Sequence, residues 1–185
     1  MDSVAPVQIK LLQVANQWSK YCNISFKPVE KLYQSQIRIT FRKGGYASAV
    51  GIECNERAYH NVPTMFLEGL DTMKDTQQFN RIVLHEFGHA LGLEHELKKP
   101  SAKIPWDSAA VYTYYKTKYN WEKSDVDKNI FASLIVEKRY EDFDSTSIMV
   151  YAVPSFLTKN HSYSVSWPRG LSSTDIKGIG EWYPK

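Results

Sequence analysis

The chain has 185 residues, with 23 Lys and Arg against 20 Asp and Glu, a formal net charge of +3. That length suits one domain, whose core buries roughly 70% of the unfolded surface. The charge is mild, the basic residues are scattered with no run beyond Lys98-Lys99, and no stretch of eighteen apolar residues occurs, so nucleic-acid binding has little support and no membrane-spanning helix is expected.

Residues 1–10 lack the charged-then-apolar pattern of a signal peptide. Either a leader or propeptide has been removed, or the chain is one domain of a longer protein; a protein delivered by a dedicated secretion system would look the same. Val4, Val7, Leu11, Val14 and Trp18 recur at helical spacing with Lys10, Gln13, Asn16 and Gln17 between them, which predicts a first amphipathic helix. A strand is expected over residues 24–29. Ile37, Ile39 and Phe41 alternate with Arg38 and Thr40, the pattern of a half-buried strand. Gly44 and Gly45 mark a turn. Residues 46–51, Tyr46, Ala47, Ser48, Ala49, Val50 and Gly51, read as a short strand of mostly small residues, and residues 64–67 as another.

A helix is expected from about Thr76 to Gly92, and it carries the most specific pattern in the chain: His85 to His95 reads HEFGHALGLEH. His85 and His89 are i and i+4, so a helix stacks both imidazoles on one face. Glu86 stands beside them, within reach of a water on a bound metal. Gly92 can adopt the left-handed conformation that ends a helix, after which the chain turns back and offers His95 as a third nitrogen ligand. Three protein ligands leave a fourth zinc position open, as a catalytic site requires. An HExxH pair alone could be two surface histidines. Here Ile82, Val83, Leu84, Phe87, Ala90, Leu91 and Leu93 flank it, so the helix is buried, and buried histidines need partners.

The second half reads as helix and loop. Asp107 can cap a helix through about Tyr119, and Ser124 with Asp127 forms an S-x-x-D start for another. Met149 and Tyr151, taken singly, are a core methionine and a packed aromatic. Residues 154–167 are irregular, and a short helix is expected from about Ser173 to Tyr183. His60 and His161 are expected to face solvent and receive no role. Cys22 and Cys54 do not decide the redox compartment.

The zinc run is the pattern H-E-x-x-H-x-x-G-x-x-H of metzincin peptidases. Downstream, Ser147, Ile148, Met149, Val150 and Tyr151 resemble the astacin sequence Ser-Ile-Met-His-Tyr, where a methionine turn lies beneath the zinc site. Glu96 follows His95, as in astacins. The stretches Ile104, Pro105, Trp106, Asp107 and Val126, Asp127, Lys128, Asn129, Ile130 resemble bacterial astacin-like zinc peptidases, as does the ending from Leu171 through Tyr183 and Pro184. The likeness covers about residues 7–184. Val150 stands where astacins usually have histidine, and Leu97 and Lys98 replace their usual His-Gln or His-Thr.

The resemblance implies an α+β metzincin (zincin-like) fold: a small mixed sheet and the active-site helix in the N-terminal half, an irregular and helical C-terminal half carrying the Met-turn. It implies a single catalytic domain over residues 1–185, with two subdomains of about 1–95 and 96–185 split by an active-site cleft. The family usually has a strand before the first helix, for which this chain leaves no room. The implied activity is that of a zinc-dependent endopeptidase, secreted or delivered outside the producing cell, acting on protein or peptide substrates, with a propeptide or further domains as potential partners. One catalytic Zn²⁺ would be held by His85, His89 and His95. Glu86 would be the general base, Tyr151 a zinc ligand in the free enzyme or a donor to the oxyanion, and Met149 a support from below. Substrate would pair with the edge strand of Tyr46, Ala47, Ser48, Ala49 and Val50, where Ala47 and Ala49 replace the family's aromatics and open the subsite walls. Astacins use the residue matching Glu96 to bind the freed N-terminus; here Glu96 is expected to make a local hydrogen bond rather than reach Met1. The family's strand order also implies that Cys22 and Cys54 are unpaired. Two alternatives stay open: a delivered toxin or effector protease with one narrow host target, and a zinc-binding interaction module without catalysis. The second is disfavoured because structural zinc is normally closed by a fourth protein ligand.

Overall fold

The computed structural model describes residues 6–56, 61–133 and 142–185. Val4, Met1 and His60 lie outside them. The chain divides into two compact units, residues 1–94 with 169–185, and residues 95–168. The mixture of helices with one small sheet is the expected α+β class. Among the described residues no helix is long and apolar enough to cross a membrane.

In the first unit, helix α1 (Pro6–Ala15) packs on helix α3 (Thr76–Ala90). Leu11, Val14 and Ala15 form its buried face, and Lys10 sets its ammonium 4.1 Å from the centre of the Phe79 ring. Trp18 follows, fully buried, and its indole N–H donates to the Leu84 carbonyl at 3.1 Å. Asp75 starts α3 as predicted helices start, with its carboxylate accepting from the N–H groups of Gln77 and Gln78. The helix then buries an unbroken run from Ile82 to His89.

The sheet has three very short strands in the order β1 (Ile39–Thr40), β3 (Met65–Leu67), β2 (Tyr46–Ser48). β1 runs parallel to β3, with Ile39 opposite Met65; β2 runs antiparallel, with Ala47 opposite Phe66. β2 is thus an edge strand. Beyond it Gly51, at φ +53°, gives its N–H to the His89 carbonyl at 2.9 Å. A Cβ at Gly51 would stand 3.4 Å from the Gly92 Cα, an ordinary packing distance, so it is the backbone angle that calls for glycine. The short helix α2 (Glu53–Glu56) follows.

Two strand expectations are corrected here. Residues 24–29 form no strand: the Asn16 side chain takes the place of a strand partner, accepting from the Phe26 N–H and donating to its carbonyl, both at 2.9 Å. The Phe26 ring packs edge-on against Phe87, 4.7 Å between centroids. Arg38, read as an outward residue, is only 5% exposed. Its guanidinium donates to the carbonyls of Val62, Ser35 and Cys54 at 2.8–3.1 Å, so it satisfies backbone that the sheet does not.

The unit is completed by helix α6 (Ser173–Trp182), begun by a capping box between Ser172 and Asp175. Its end returns to the N-terminal segments: the Tyr183 hydroxyl donates to the Leu91 carbonyl at 2.9 Å, and the Asn23 N–H donates to the Tyr183 carbonyl at 2.8 Å.

The second unit is built from helix α4 (Ser108–Tyr119), helix α5 (Lys123–Val126) and a π-turn at Asp127–Phe131. Asp107 caps α4 as expected, accepting from the Ala110 N–H. The start of α5 differs from the S-x-x-D reading. Asn120 ends α4 in the left-handed region, and the cap falls on Glu122, whose N–H donates to Asp125. Asp127 instead accepts from the Tyr112 hydroxyl and pairs with Lys123. Two apolar clusters fill this unit: Val111, Val126, Ile130 and Leu157 in one, Leu97, Val150, Val153 and Val165 in the other. Trp106 packs on both.

Cys22 and Cys54 are free and buried. That agrees with the expectation, though the strand over residues 24–29, whose distance from the edge strand was to keep the two cysteines apart, does not exist. Each thiol leans on a backbone carbonyl, that of Trp18 and of Ala49 respectively. Alkylation without reductant is expected to add two groups per chain under denaturing conditions and to be slow in the native protein, because both sulfurs are buried. Intact mass measures this; no added mass after denaturation would mean a bonded pair.

Candidate metal centre

α3 places His85 and His89 one turn apart, with ring centroids 4.8 Å apart and planes at 88°. The helix stops at Ala90 because Gly92 turns left-handed at φ +100°. The reversal is fastened twice. The Leu93 N–H donates to the Gly88 carbonyl at 3.0 Å, and the Leu93 carbonyl lies 2.8 Å from His89 Nδ1. A carbonyl can only accept, so Nδ1 carries the proton and Nε2 keeps its lone pair for a metal. The sequence pattern gave no sign of this role for Leu93, whose side chain has no part in it.

The ligand nitrogens of His85, His89 and His95 all lie within 4.8 Å of one another. Tetrahedral zinc with Zn–N bonds of about 2.0–2.1 Å needs nitrogens roughly 3.3 Å apart. The donor set also fits the metal, since neutral imidazoles are ordinary zinc ligands.

Glu86 supports the same reading. It is 3% exposed, and its Oε2 has no hydrogen-bond partner among the described residues. Burial pushes its carboxyl up to about 8, with Arg81 acting weakly the other way. A buried carboxylate left in this state is costly unless a positive charge accompanies it. A divalent cation beside it would favour the ionised form.

His95 begins the second unit, and its surroundings there are well fixed. Glu96, buried, donates its N–H to the Met149 carbonyl at 3.2 Å. Its carboxylate accepts from the Asp144 N–H at 3.0 Å and pairs with Lys99 at 2.7 Å. Lys99 also donates to the Asp142 carbonyl at 3.1 Å. Glu96 was expected to make a local hydrogen bond near the zinc helix; of these partners only Lys99 is local, and the other two join the third ligand to the methionine turn. Asp144 and Lys99 were not singled out in the sequence; only the distance between residues 96 and 144 hides their partnership.

The turn itself occupies residues 145–149. Asp144 accepts from Thr146, and the Ser147 hydroxyl accepts from the Met149 N–H at 3.0 Å. Met149 is buried. Tyr151 lies against His95, with ring centroids 4.4 Å apart and planes at 45°. The two departures from the astacin pattern meet in one place: Leu97 and Val150, each standing for a histidine, belong to the same apolar cluster.

The expected substrate strand is only partly regular. Tyr46, Ala47 and Ser48 form β2, while Ala49 continues the pairing through its N–H to the Thr64 carbonyl. The N–H of Val50 donates to Glu53 Oε2 at 3.1 Å. Tyr46 and Ala47 are exposed, and Ala49 is buried. His161 is exposed, as expected.

Compared with known proteins, residues 5–132 match the model of the family described as Matrixin. The solved structure of myroilysin is similar, at 38% identity and TM-score 0.85, covering 99% of this chain and 89% of that one. High choriolytic enzyme 1, a hatching-enzyme zinc protease of the medaka Oryzias latipes, shares the fold at 16% identity and TM-score 0.64, covering 99% of this chain and 86% of that one. Zinc metalloproteinase nas-39 of Caenorhabditis elegans is 27% identical over 150 residues, 78% of this chain and 14% of that protein. The chain spans a quarter or less of the length of the curated relatives it matches.

Proposed function

The chain belongs to the matrixin family, among the metzincin zinc peptidases, and from that premise we propose that it is a zinc-dependent endopeptidase acting on protein or peptide substrates outside the producing cell. The observation that carries this reading is the convergence of three histidine nitrogens with a buried carboxylate one residue after the first of them. The reading takes residues 1–185 as one catalytic domain. Tyr151, two residues after the buried Met149, supports its astacin-like character.

His85, His89 and His95 would hold one Zn²⁺. When bound, it supplies Lewis acidity and lowers the pKa of a coordinated water from about 15.7 to about 7. Glu86 takes the proton of the attacking water and later returns a proton to the leaving amine. Its burial keeps competing solvent from the carboxylate, and a cation beside it would hold it ionised and ready to accept that proton. Tyr151 donates its phenol hydrogen to the oxygen on which charge develops. Met149 makes no bond to the metal and fills the space beneath the third ligand. The backbone edge of residues 46–50 receives the substrate as an added strand. Ala47, exposed, carries only a methyl group there, so bulky side chains of a substrate meet little obstruction from it, whereas Ala49 is buried.

Two substitutions test the assignment. Glu86→Ala should keep zinc yet lower turnover by roughly three orders of magnitude or more, as removal of the base requires. Peptide cleavage and metal content measured together decide it: near wild-type turnover with zinc retained contradicts the role of Glu86. Tyr151→Phe should lower turnover by about one to three orders of magnitude, the usual result of losing one oxyanion donor, with little change in zinc content. Undiminished turnover would mean that the ring only packs.

A further inference from the structure

Tyr151 has a second aromatic neighbour. Val153 and Val165 form an isolated antiparallel bridge, in which Val153 donates to the Val165 carbonyl at 2.8 Å and Val165 returns a bond at 3.0 Å. Two residues outward along each side of that bridge stand Tyr151 and Trp167. Residues two apart share a face of an extended chain, so the register sets these two rings opposite each other. They meet edge to face, with centroids 6.2 Å apart and planes at 85°. Pro168 follows Trp167 and restrains its backbone to the extended region, which keeps it in that register.

The Tyr151 ring therefore lies between two aromatic groups, the His95 imidazole at 4.4 Å and the Trp167 indole. The two neighbours differ in kind. His95 is committed to the metal by the reading above. Trp167 is 48% exposed, so filling the core does not account for an indole at this position. The Val153 and Val165 side chains are buried and anchor the bridge in the apolar cluster of Leu97 and Val150. The indole is thus presented by a fixed piece of backbone, although its own outer face meets solvent.

We propose that Trp167 is a positioning residue for Tyr151, holding the phenol ring beside His95 so that its hydroxyl stands where the oxyanion develops. The inference rests on the reading of Tyr151 as an oxyanion donor. A tyrosine without the indole edge has more freedom about its side-chain torsions, and the productive orientation becomes a smaller fraction of its population. An edge-to-face aromatic pair is strong enough to shift such a population roughly two- to tenfold. The effect falls on the step in which the hydroxyl acts and leaves substrate binding along residues 46–50 largely alone.

A double-mutant cycle on the zinc-loaded protein tests it. Trp167→Ala should lower kcat about two- to tenfold with KM little changed, and Trp167→Phe should restore most of the loss. In a Tyr151→Phe background, Trp167→Ala should add no further loss, because no hydroxyl remains to be positioned. A second readout does not depend on turnover. With ring-labelled tyrosine, the Tyr151 resonances, assigned by Tyr151→Phe, should move when the indole ring current is removed. Equal losses from Trp167→Ala in both backgrounds overturn the proposal, as does an unmoved Tyr151 resonance. Wild-type turnover by Tyr151→Phe overturns the oxyanion reading and this inference with it; a slow Tyr151→Phe beside an unimpaired Trp167→Ala overturns the inference alone. Should Trp167→Ala fail to fold, Trp167→Leu keeps the bulk without the aromatic edge and takes its place.

Discussion

The metal centre depends on one backbone constraint, the left-handed turn at Gly92 that stops α3 one residue after its second histidine. A helix continued through this point would carry residue 95 a further turn and a half along the axis, away from His85 and His89. The turn reverses the chain instead, and the Leu93 peptide fastens the reversal from both of its sides, to Gly88 through its N–H and to His89 through its carbonyl. The second of these bonds also sets the tautomer of a ligand. Thus the same few atoms that end the helix prepare His89 to bind a metal. Gly51 adds a further condition, since its φ of +53° favours glycine at the point where the chain beyond the edge strand hydrogen-bonds to the His89 carbonyl.

The third ligand is fixed by different means. Glu96 is the hub: its N–H binds the methionine turn, and its carboxylate binds both the Asp144 backbone and the Lys99 ammonium. With two favourable partners its buried charge is compensated, whereas Glu86 has an Oε2 without a hydrogen bond among the described residues and a pKa that burial raises against the pull of Arg81. This contrast between two buried glutamates, ten residues apart, is consistent with a structural part for Glu96 and with the proton-transfer role we propose for Glu86. Behind Glu96, Leu97 and Val150 replace two polar family residues with apolar ones in a single cluster. The substitutions are compatible with each other because both sides changed; a histidine at either position alone would be left among aliphatic side chains.

Much of this was legible in the sequence, for physical reasons that differ by element. α3 could be read because histidines at i and i+4, apolar flanks and a terminating glycine agree within one segment; its capping aspartate, Asp75, emerged only in the structure. Of the ligand set, His85 and His89 followed from helical geometry, and His95 from the chain reversal that Gly92 permits. The methionine turn and Tyr151 required the family resemblance, since a lone methionine or tyrosine says nothing. What could not be read were side chains acting as backbone partners. Asn16 removes a strand from residues 24–29, and Arg38 turns inward to serve carbonyl groups; neither leaves a trace in hydrophobic alternation. The start of α5 was missed for a similar reason, because Asp127 is engaged by Tyr112 and Lys123 and a neighbouring acid makes the cap. Trp167 was invisible for want of a register, which two backbone hydrogen bonds between valines supply.

The central claim is that three histidines of one short run hold a single zinc ion and leave a coordination position open. X-ray absorption at the zinc edge tests this most directly. The account predicts about one zinc per chain, three imidazole nitrogens at about 2.0–2.1 Å, one further oxygen from solvent or a phenol, and loss of one nitrogen shell member when His95 is replaced by alanine. A sulfur neighbour at about 2.3 Å, or a shell closed by four protein nitrogens, would contradict it.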